Sequence, residues 1–251
     1  MVNSGLGIGT IMPFVLVRGG YKEDTMKKNS LHLMFIGLLI ALCVSGCATT
    51  GIYSVDMGYD AKDAMIPPYL KPDQKALQTI IGVAEFTDTR KIDDPLVIGR
   101  VIERNGMKVL VLPKRTRPTQ AVADGIRQYL RKAGYNVSGV GELWNLREGT
   151  IPQAANSKVL IGGAITDMDV DCRRAFPTNT YTTKLKMTVY IADTVRKKIL
   201  YHATVEASTS LEHVSFAEKR MGDQATIALG DAIERIFEKR EMAQAIREAL
   251  K

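Results

Sequence analysis

The chain has 251 residues, with 34 Lys and Arg against 27 Asp and Glu, and its formal net charge is +7. Residues 1–46 hold four of these basic and two of these acidic residues, so the remainder carries +5, which is too weak a charge to indicate nucleic-acid binding. Three cysteines exclude a fold held by several disulfides, and about 205 residues after residue 46 suffice for one domain with its own core.

Residues 26–46 have the order of a secretory signal peptide: Lys27 and Lys28, an apolar stretch over residues 33–44, then small residues. The stretch is shorter than the roughly 20 residues of a transmembrane helix. Residues 44–47, Val-Ser-Gly-Cys, resemble the lipobox of bacterial lipoproteins. The alternative interpretation of residues 26–47 is a core helix followed by an ordinary buried cysteine, Cys47. We expect cleavage before Cys47, lipidation of its thiol and stable anchoring through the acyl chains.

The remaining boundaries follow from composition. Residues 1–25 precede the signal peptide, and we interpret them as a miscalled upstream extension. Residues 47–78 contain several glycines and prolines without a sustained period, which predicts a lipidated tether, with residues 66–70 docking as an extended strip. Residues 79–251 are predicted to form a single periplasmic domain. Ala48 resembles the sorting signal for the outer membrane, so the expected location is the periplasmic face of that membrane.

The first half of the domain alternates strands with one helix. Residues 80–86 read as a strand, and residues 96–103 and 107–112 as a hairpin around Asn105-Gly106, both of which tolerate positive φ. Pro118 opens a helix to Ala133, since its apolar residues recur at helical spacing and Gly134 follows as the C-terminal cap. Residues 135–140 are a further strand.

The second half is an antiparallel meander followed by helices. Residues 158–172 form a long strand with a bulge near Thr166, and residues 184–191 and 199–207 alternate with one polar face. Residues 215–218, Ser-x-x-Glu, predict a capping box before a helix with a polar break at 238–241. The predicted fold class is α/β of the α+β type: a mixed, largely antiparallel sheet with helices packed on one face.

An acidic row, Asp167-x-Asp169-x-Asp171, resembles the start of a calcium loop. Such a loop needs Gly at its sixth and Glu at its twelfth position, where this chain has Cys172 and Thr178. A solvated strand face is therefore favoured, although the row could face a cation or a basic partner.

The chain offers little else for catalysis. His202 and His213 have no ligand at zinc spacing, Cys172 has no histidine nearby in sequence, and neither Gly-x-Ser-x-Gly nor Ser-x-x-Lys occurs. We therefore expect no catalytic residue, no metal, no cofactor and no enzymatic activity.

Two features suggest a partner site. Basic residues gather around the hairpin, either to protect an exposed edge or to bind an acidic glycan, a lipid headgroup or a protein. The single tryptophan either caps the core or serves as an interface anchor. The candidate partner-binding residues are Arg100, Arg104, Lys108, Lys114, Arg115 and Trp144.

With these motifs placed, residues 47–250 resemble the YajG-like lipoproteins of Gram-negative bacteria. The resemblance rests on the lipobox cysteine, on Asp88-Thr89-Arg90, on the hairpin within residues 100–112, and on Lys-Ala-Gly-Tyr-Asn-Val at residues 132–137, followed by the meander and the last helix. The longer tether and the basic residues 113–117 depart from it. The resemblance carries no catalytic signature.

The expected function is that of a non-catalytic, lipid-anchored envelope lipoprotein that binds a protein or a glycan such as peptidoglycan, and no nucleic acid. An auxiliary subunit of a lipid-transport system is the alternative and would need an apolar groove, and an envelope hydrolase is less favoured.

Overall fold

The computed structural model describes residues 51–153 and 157–251, so the signal peptide, Cys47 and the predicted extension over residues 1–25 lie outside the described residues. Within those ranges the strands are β1 Tyr53–Val55, β2 Ile80–Glu85, β3 Thr87–Asp88, β4 Gly99–Ile102, β5 Lys108–Pro113, β6 Asn136–Leu143, β7 Ser157–Arg173, β8 Asn179–Asp193 and β9 Lys198–His213. The α-helices are α1 Gln74–Leu77, α2 Pro118–Ala133, α3 Glu218–Phe237 and α4 Arg240–Ala249.

Strand β7 organises a single mixed sheet. One of its edges pairs antiparallel with β8 along the length of the strand, and β9 continues the meander beyond β8. The other edge receives β2, β3 and β4 in succession, all parallel to β7. Strand β6 extends β2, while β5 and then β1 extend β4. This arrangement confirms the predicted fold class.

Helices α2, α3 and α4 cover one face of the sheet, which we call the inner face. Their apolar stripes share one core with alternate residues of the strands, including Ile161, Val170 and Leu185. The rings of Tyr129 in α2 and Phe237 in α3 stack with centroids 4.8 Å apart, which joins the two helices over the sheet. The opposite face, the outer face, has no such helical layer over β7, β8 and β9 in the described ranges.

The hairpin forms where the sequence predicts it, but its turn is of another type. Only Gly106 takes a positive φ there, +82°, and its N–H donates to the carbonyl of Glu103 at 2.8 Å. The Glu103 N–H donates in turn to the carbonyl of Met107. This is a type I turn closed by a glycine bulge rather than a two-residue turn, so Asn105 contributes its side-chain oxygen, which accepts from the Met107 N–H.

Two other local predictions hold. Helix α2 runs from Pro118 to Ala133 and ends at Gly134 with φ +105°. The register between β7 and β8 shifts between Ile165 and Asp167, which confirms the bulge that the change of apolar parity predicted.

The predicted capping box at residues 215–218 does not form. Helix α3 begins at Glu218 with Ala217 as its N-terminal cap and no side-chain capping bond. Tyr181 determines the local conformation, because its hydroxyl donates to the Ser215 carbonyl and accepts from the Ala217 N–H. Glu218 instead accepts a bond from the Ser54 N–H, at 3.2 Å, on strand β1. Tertiary contacts therefore override the local capping pattern.

The prediction of a tether is also wrong over residues 51–78, because this segment packs on the domain. Strand β1 pairs in parallel with β5, and Met57 and Tyr59 are buried, with Tyr59 next to Gly125 of α2 and Gly230 of α3. Leu70 is completely buried, so this segment docks as predicted, but Pro68–Leu70 form a short 3₁₀ helix rather than an extended strip. The physical reason is an alternation of Tyr, Val, Met and Tyr at positions 53, 55, 57 and 59, a strand period concealed among glycines and prolines. None of the helices in the described residues is long and apolar enough to cross a membrane.

Candidate interaction site

The outer face is polar across β4, β7, β8 and β9. Lys184 on β8 lies 3.1 Å from Asp167 on β7 and 3.5 Å from Glu206 on β9, and Lys186 lies 3.7 Å from Glu206. These cross-strand pairs are exposed and contribute little to stability. They do give the face a fixed pattern of alternating charge.

Next to these pairs, acidic residues of β7 meet Arg100 of β4. The backbone N–H of Arg100 donates to Oδ1 of Asp171 at 2.9 Å, while its side chain is exposed. Burial raises the pKa of Asp169, as do the neighbouring charges of Asp171 and Asp167; burial also raises the pKa of Asp171. Ionisation of Asp169 and Asp171 is therefore less favourable in the folded chain than in the unfolded chain.

Arg90, from the Asp88-Thr89-Arg90 motif, is structural. Its side chain is 3% exposed and forms a forked ion pair with Asp88, with the closest atoms 2.7 Å apart. The guanidinium also donates to the carbonyls of Pro95 and Val97 at 2.9 Å. It thus fixes the loop that leads into β4 and is not available to a partner.

Trp144 caps the core and is not an exposed anchor. Its side chain is 1% exposed, packs with Ala84, Ile151 and Leu160, and donates from Nε1 to the carbonyl of Arg147 at 3.0 Å. A Cβ added at Gly162 would lie 2.8 Å from Cε3 of Trp144, so the glycine creates the space for the indole. Trp144 closes the end of the outer face formed by β2, β6 and the start of β7.

The basic candidates around the hairpin do not form one patch. Arg100 lies on the outer face, whereas Arg104 and Lys108 lie at the turn. Lys114 and Arg115 follow the other end of β5, about 20 Å from Lys108 at about 3.3 Å per residue. Arg115 is paired with Asp56 at 2.9 Å. All five side chains are exposed, and their role in partner binding stays a prediction.

One cluster was missed from the sequence, because its members come from four separate segments. Glu103 in the hairpin turn accepts from the Tyr53 hydroxyl and from Nη1 of Arg174, both at 2.7 Å. The guanidinium carbon of Arg174 lies 4.7 Å from the ring centroid of Phe216. These contacts join the start of β1, the hairpin turn, the β7–β8 connection and the β9–α3 connection. We call this region, residues 51–53, 103–108, 173–179 and 212–216, the hairpin end.

The remaining candidates for chemistry are accounted for by their surroundings. Cys172 is fully buried, and burial raises the pKa of its thiol to about 11, which leaves it a poor nucleophile. The ring of His202 stacks on Tyr190, and Nδ1 of His213 accepts from the Ser215 N–H at 3.1 Å. Across residues 51–153 and 157–251, no group of three His, Cys, Asp or Glu side chains is placed to hold a metal ion.

The cavities differ in chemistry. A depression of about 730 Å³ lies between β1 and α3, and its walls include the charged residues Asp56, Arg115 and Glu218. An apolar cavity beneath α2 and α3, bordered by Met57, Val122 and other core residues, measures about 10 Å³. A cavity of this volume has room for about one water molecule, so it admits no acyl chain.

No protein-family model matches the chain, and no curated protein matches it in sequence. Among solved structures it is similar to a Xanthomonas campestris protein of the DUF330 family, with 11% identity, a TM-score of 0.44, and coverage of 77% of this chain and 96% of the other. It is also similar to lipoprotein GNA1162 from Neisseria meningitidis, with 10% identity, a TM-score of 0.35, and coverage of 64% of this chain and 99% of the other. A minor lipoprotein from Acinetobacter baumannii is similar with 12% identity, a TM-score of 0.36, and coverage of 65% of this chain and 92% of the other. At these scores the likeness assigns neither a family nor a function to this chain, and the YajG-like resemblance stays a prediction.

Proposed function

We propose that this chain is a non-catalytic lipoprotein, anchored through Cys47 to the periplasmic side of the bacterial outer membrane, and that its outer face binds an envelope protein or glycan. The observation that carries the proposal is the uncovered outer face, where Arg100 and the acidic row of β7 lie side by side. The anchor is supported by the signal peptide and lipobox pattern of residues 26–47.

The electrostatics of the face favour recognition of a charged partner. Because burial raises the pKa values of Asp169 and Asp171, keeping both carboxyl groups ionised at neutral pH destabilises the isolated domain. A partner that places a cation or hydrogen-bond donors against them would recover that free energy on binding. Arg100 and Lys184 beside the row would donate hydrogen bonds to the partner's acidic groups, so that opposite charges fix its register.

The alternatives have less support. A hydrolase needs an activated nucleophile, and Cys172 is buried with a raised thiol pKa. An auxiliary subunit of a lipid-transport system would need an apolar groove, whereas the apolar cavity beneath α2 and α3 measures only about 10 Å³ and the depression between β1 and α3 has charged walls. These observations favour a binding protein over either class.

Photocrosslinking in intact cells tests the proposal. A photoreactive residue at Ser208, on the outer face, should give a specific adduct, whereas one at Ile227, exposed on α3, should not. Arg100→Glu should remove the adduct, and the control Lys239→Glu, which reverses an exposed charge beside the helices, should leave it. Sensitivity of the adduct to a protease or to a muramidase identifies the partner as protein or peptidoglycan.

Equal labelling from Ser208 and Ile227, or no adduct from Ser208, would contradict partner binding by the outer face. Turnover of an envelope substrate by the purified chain, abolished by one substitution, would contradict the non-catalytic assignment. Mass spectrometry of the N-terminus tests the anchor separately, because an unmodified Cys47 would end that part of the proposal.

A further inference from the structure

The distance that the chain can cover limits how far the domain can stand from its anchor. Gly51 lies beside β5, where a Cβ on it would be 4.0 Å from Cγ1 of Val109, and Tyr53 is already bonded to Glu103. Gly51 follows Cys47 by four positions in sequence. At no more than about 3.6 Å per residue these four positions span at most about 14 Å.

The domain is much longer than this reach. Strand β8 runs 15 residues from the hairpin end to the turn before β9, which corresponds to about 50 Å. An acyl chain on Cys47 therefore holds the hairpin end close to the bilayer, while the turn that contains Val195 lies about 50 Å from that end.

The exposed side chains of the hairpin end suit a lipid surface. Phe176 is 87% exposed, and Ile52, Met107 and Val214 are also large apolar residues with more than half of their surface exposed. They come from all four segments of the hairpin end. Exposed apolar side chains grouped at one end of a domain are typical of interaction sites rather than of a solvated surface.

Cations accompany these apolar residues. Arg104, Lys108 and Arg173 are exposed, and Arg220 at the start of α3 approaches His213 at 3.2 Å. Of the acidic residues in the same segments, Glu103 is paired with Arg174 and Glu212 is exposed. The surface is therefore cationic and apolar at once, the combination found where proteins contact anionic bilayers.

We propose that the hairpin end is a membrane-contact surface: Arg104, Lys108 and Arg173 bind the headgroups of anionic phospholipids, and Phe176 and Met107 enter the headgroup layer. The inference rests on the proposed lipidation of Cys47. It deepens that function, because two contacts, the acyl chains and this surface, set the orientation of the domain. The β strands then stand steeply on the membrane, with the outer face turned sideways and accessible to a partner.

Depth measurements on the lipidated full chain in vesicles test the inference. Nitroxide labels are attached at Phe176→Cys and, in a separate chain, at Val195→Cys, a matched control that is 73% exposed at the far end of β8. Cys172 is buried with a raised thiol pKa and should react little. In vesicles of phosphatidylethanolamine and phosphatidylglycerol, the label at 176 should be relaxed more strongly by oxygen, and the label at 195 by aqueous nickel.

Charge reversal provides a second test of membrane contact. Arg104→Glu with Lys108→Glu should move the label at 176 toward water in vesicles that contain phosphatidylglycerol, and should have little effect in phosphatidylcholine alone. Each cation near an anionic surface corresponds to about a fivefold effect on binding. Lys114→Glu with Arg115→Glu, at the other end of β5, should leave the label depth unchanged.

The outcomes separate the two proposals. A chain with an unmodified Cys47, which does not remain with vesicles, would overturn the anchor. A lipidated chain whose labels at 176 and 195 are equally accessible to nickel would overturn membrane contact and leave the anchor intact. Protection of the label at 176 that depends on the number of chains per vesicle would assign the surface to a second copy and would also overturn the inference.

Discussion

Replacing Trp144 with Ala tests whether the indole caps the core. The side chain is 1% exposed and packs on Ala84, Ile151 and Leu160, and removing a buried tryptophan typically costs about 3–5 kcal/mol of unfolding free energy. An exposed interface anchor would cost less than about 0.5 kcal/mol. The difference is measured by urea unfolding of a chain that begins at residue 48, followed by far-UV circular dichroism.

The neighbour Leu143 provides the control, since it is 67% exposed in the same segment. Leu143→Ala should change the unfolding free energy by less than about 0.5 kcal/mol. If Trp144→Ala lowered the unfolding free energy by less than about 1 kcal/mol, the buried position would be refuted, because removal of a well-packed tryptophan typically costs about 3–5 kcal/mol.

The glycine beneath the indole makes the test sharper. In the wild type, Gly162→Ala would place a Cβ 2.8 Å from Trp144, and such overpacking costs about 1–3 kcal/mol. In the Trp144→Ala background the nearest remaining atom is Cβ of Ala84 at 3.5 Å, an ordinary contact. There Gly162→Ala should be neutral or stabilise by up to about 1 kcal/mol, because alanine loses less entropy on folding. Additive effects of the two substitutions would contradict the contact between the residues.

Three further substitutions test the turn and the electrostatics. Gly106→Val should cost about 1–2 kcal/mol in the same unfolding assay because its φ is +82°, while Gly141→Val, equally uncrowded at a φ that other residues adopt, should cost less. Burial and the adjacent aspartates raise the pKa of Asp169, so Asp169→Asn should stabilise the chain at pH 7, and the gain should disappear as the pH falls below about 3.8. Burial opposes ionisation of Asp193, but hydrogen bonds from the following turn outweigh it and lower its pKa; Asp193→Asn should therefore destabilise the chain at pH 7, with the loss fading below pH 3.8. Urea midpoints between pH 3 and 7 with opposite signs for these two variants check both, and equal signs would contradict the assignment.

The sequence predicted those elements whose signals are local. Helix α2 has a proline start, a helical apolar period and a glycine end, so it was found with correct bounds. The meander has strict alternation, so its three strands were found, but β8 begins five residues before the predicted 184–191 and β9 ends six residues after the predicted 199–207. The capping box failed because Tyr181, 34 residues before Ser215, holds the segment that precedes the helix. Strand β1 was missed because its alternation is short and lies among glycines and prolines, which read as a tether.

The candidate sites were less predictable than the fold. Proximity in sequence grouped Arg100 with Arg115, yet β5 carries them to different surfaces. The hairpin end could not be found in this way, because Tyr53, Glu103 and Arg174 meet only through the parallel pairing of β4 with β7 and of β1 with β5. Parallel pairing joins distant segments and leaves no short-range pattern in the sequence.

The pair Gly162-Gly163 shows how the two faces of β7 acquire different roles. A Cβ at Gly162 would meet Trp144 on the outer face, and one at Gly163 would lie 2.4 Å from the ring of Phe86, which belongs to the main core. The pair therefore admits an aromatic ring on each side of the same strand. Beyond the bulge at Thr166 the outward positions of β7 become Asp167, Asp169 and Asp171, and no ring covers them in the described structure. One strand thus closes one end of the outer face with packed aromatic rings and leaves the other end charged and open, so a partner of this face has only the half toward the hairpin end to bind.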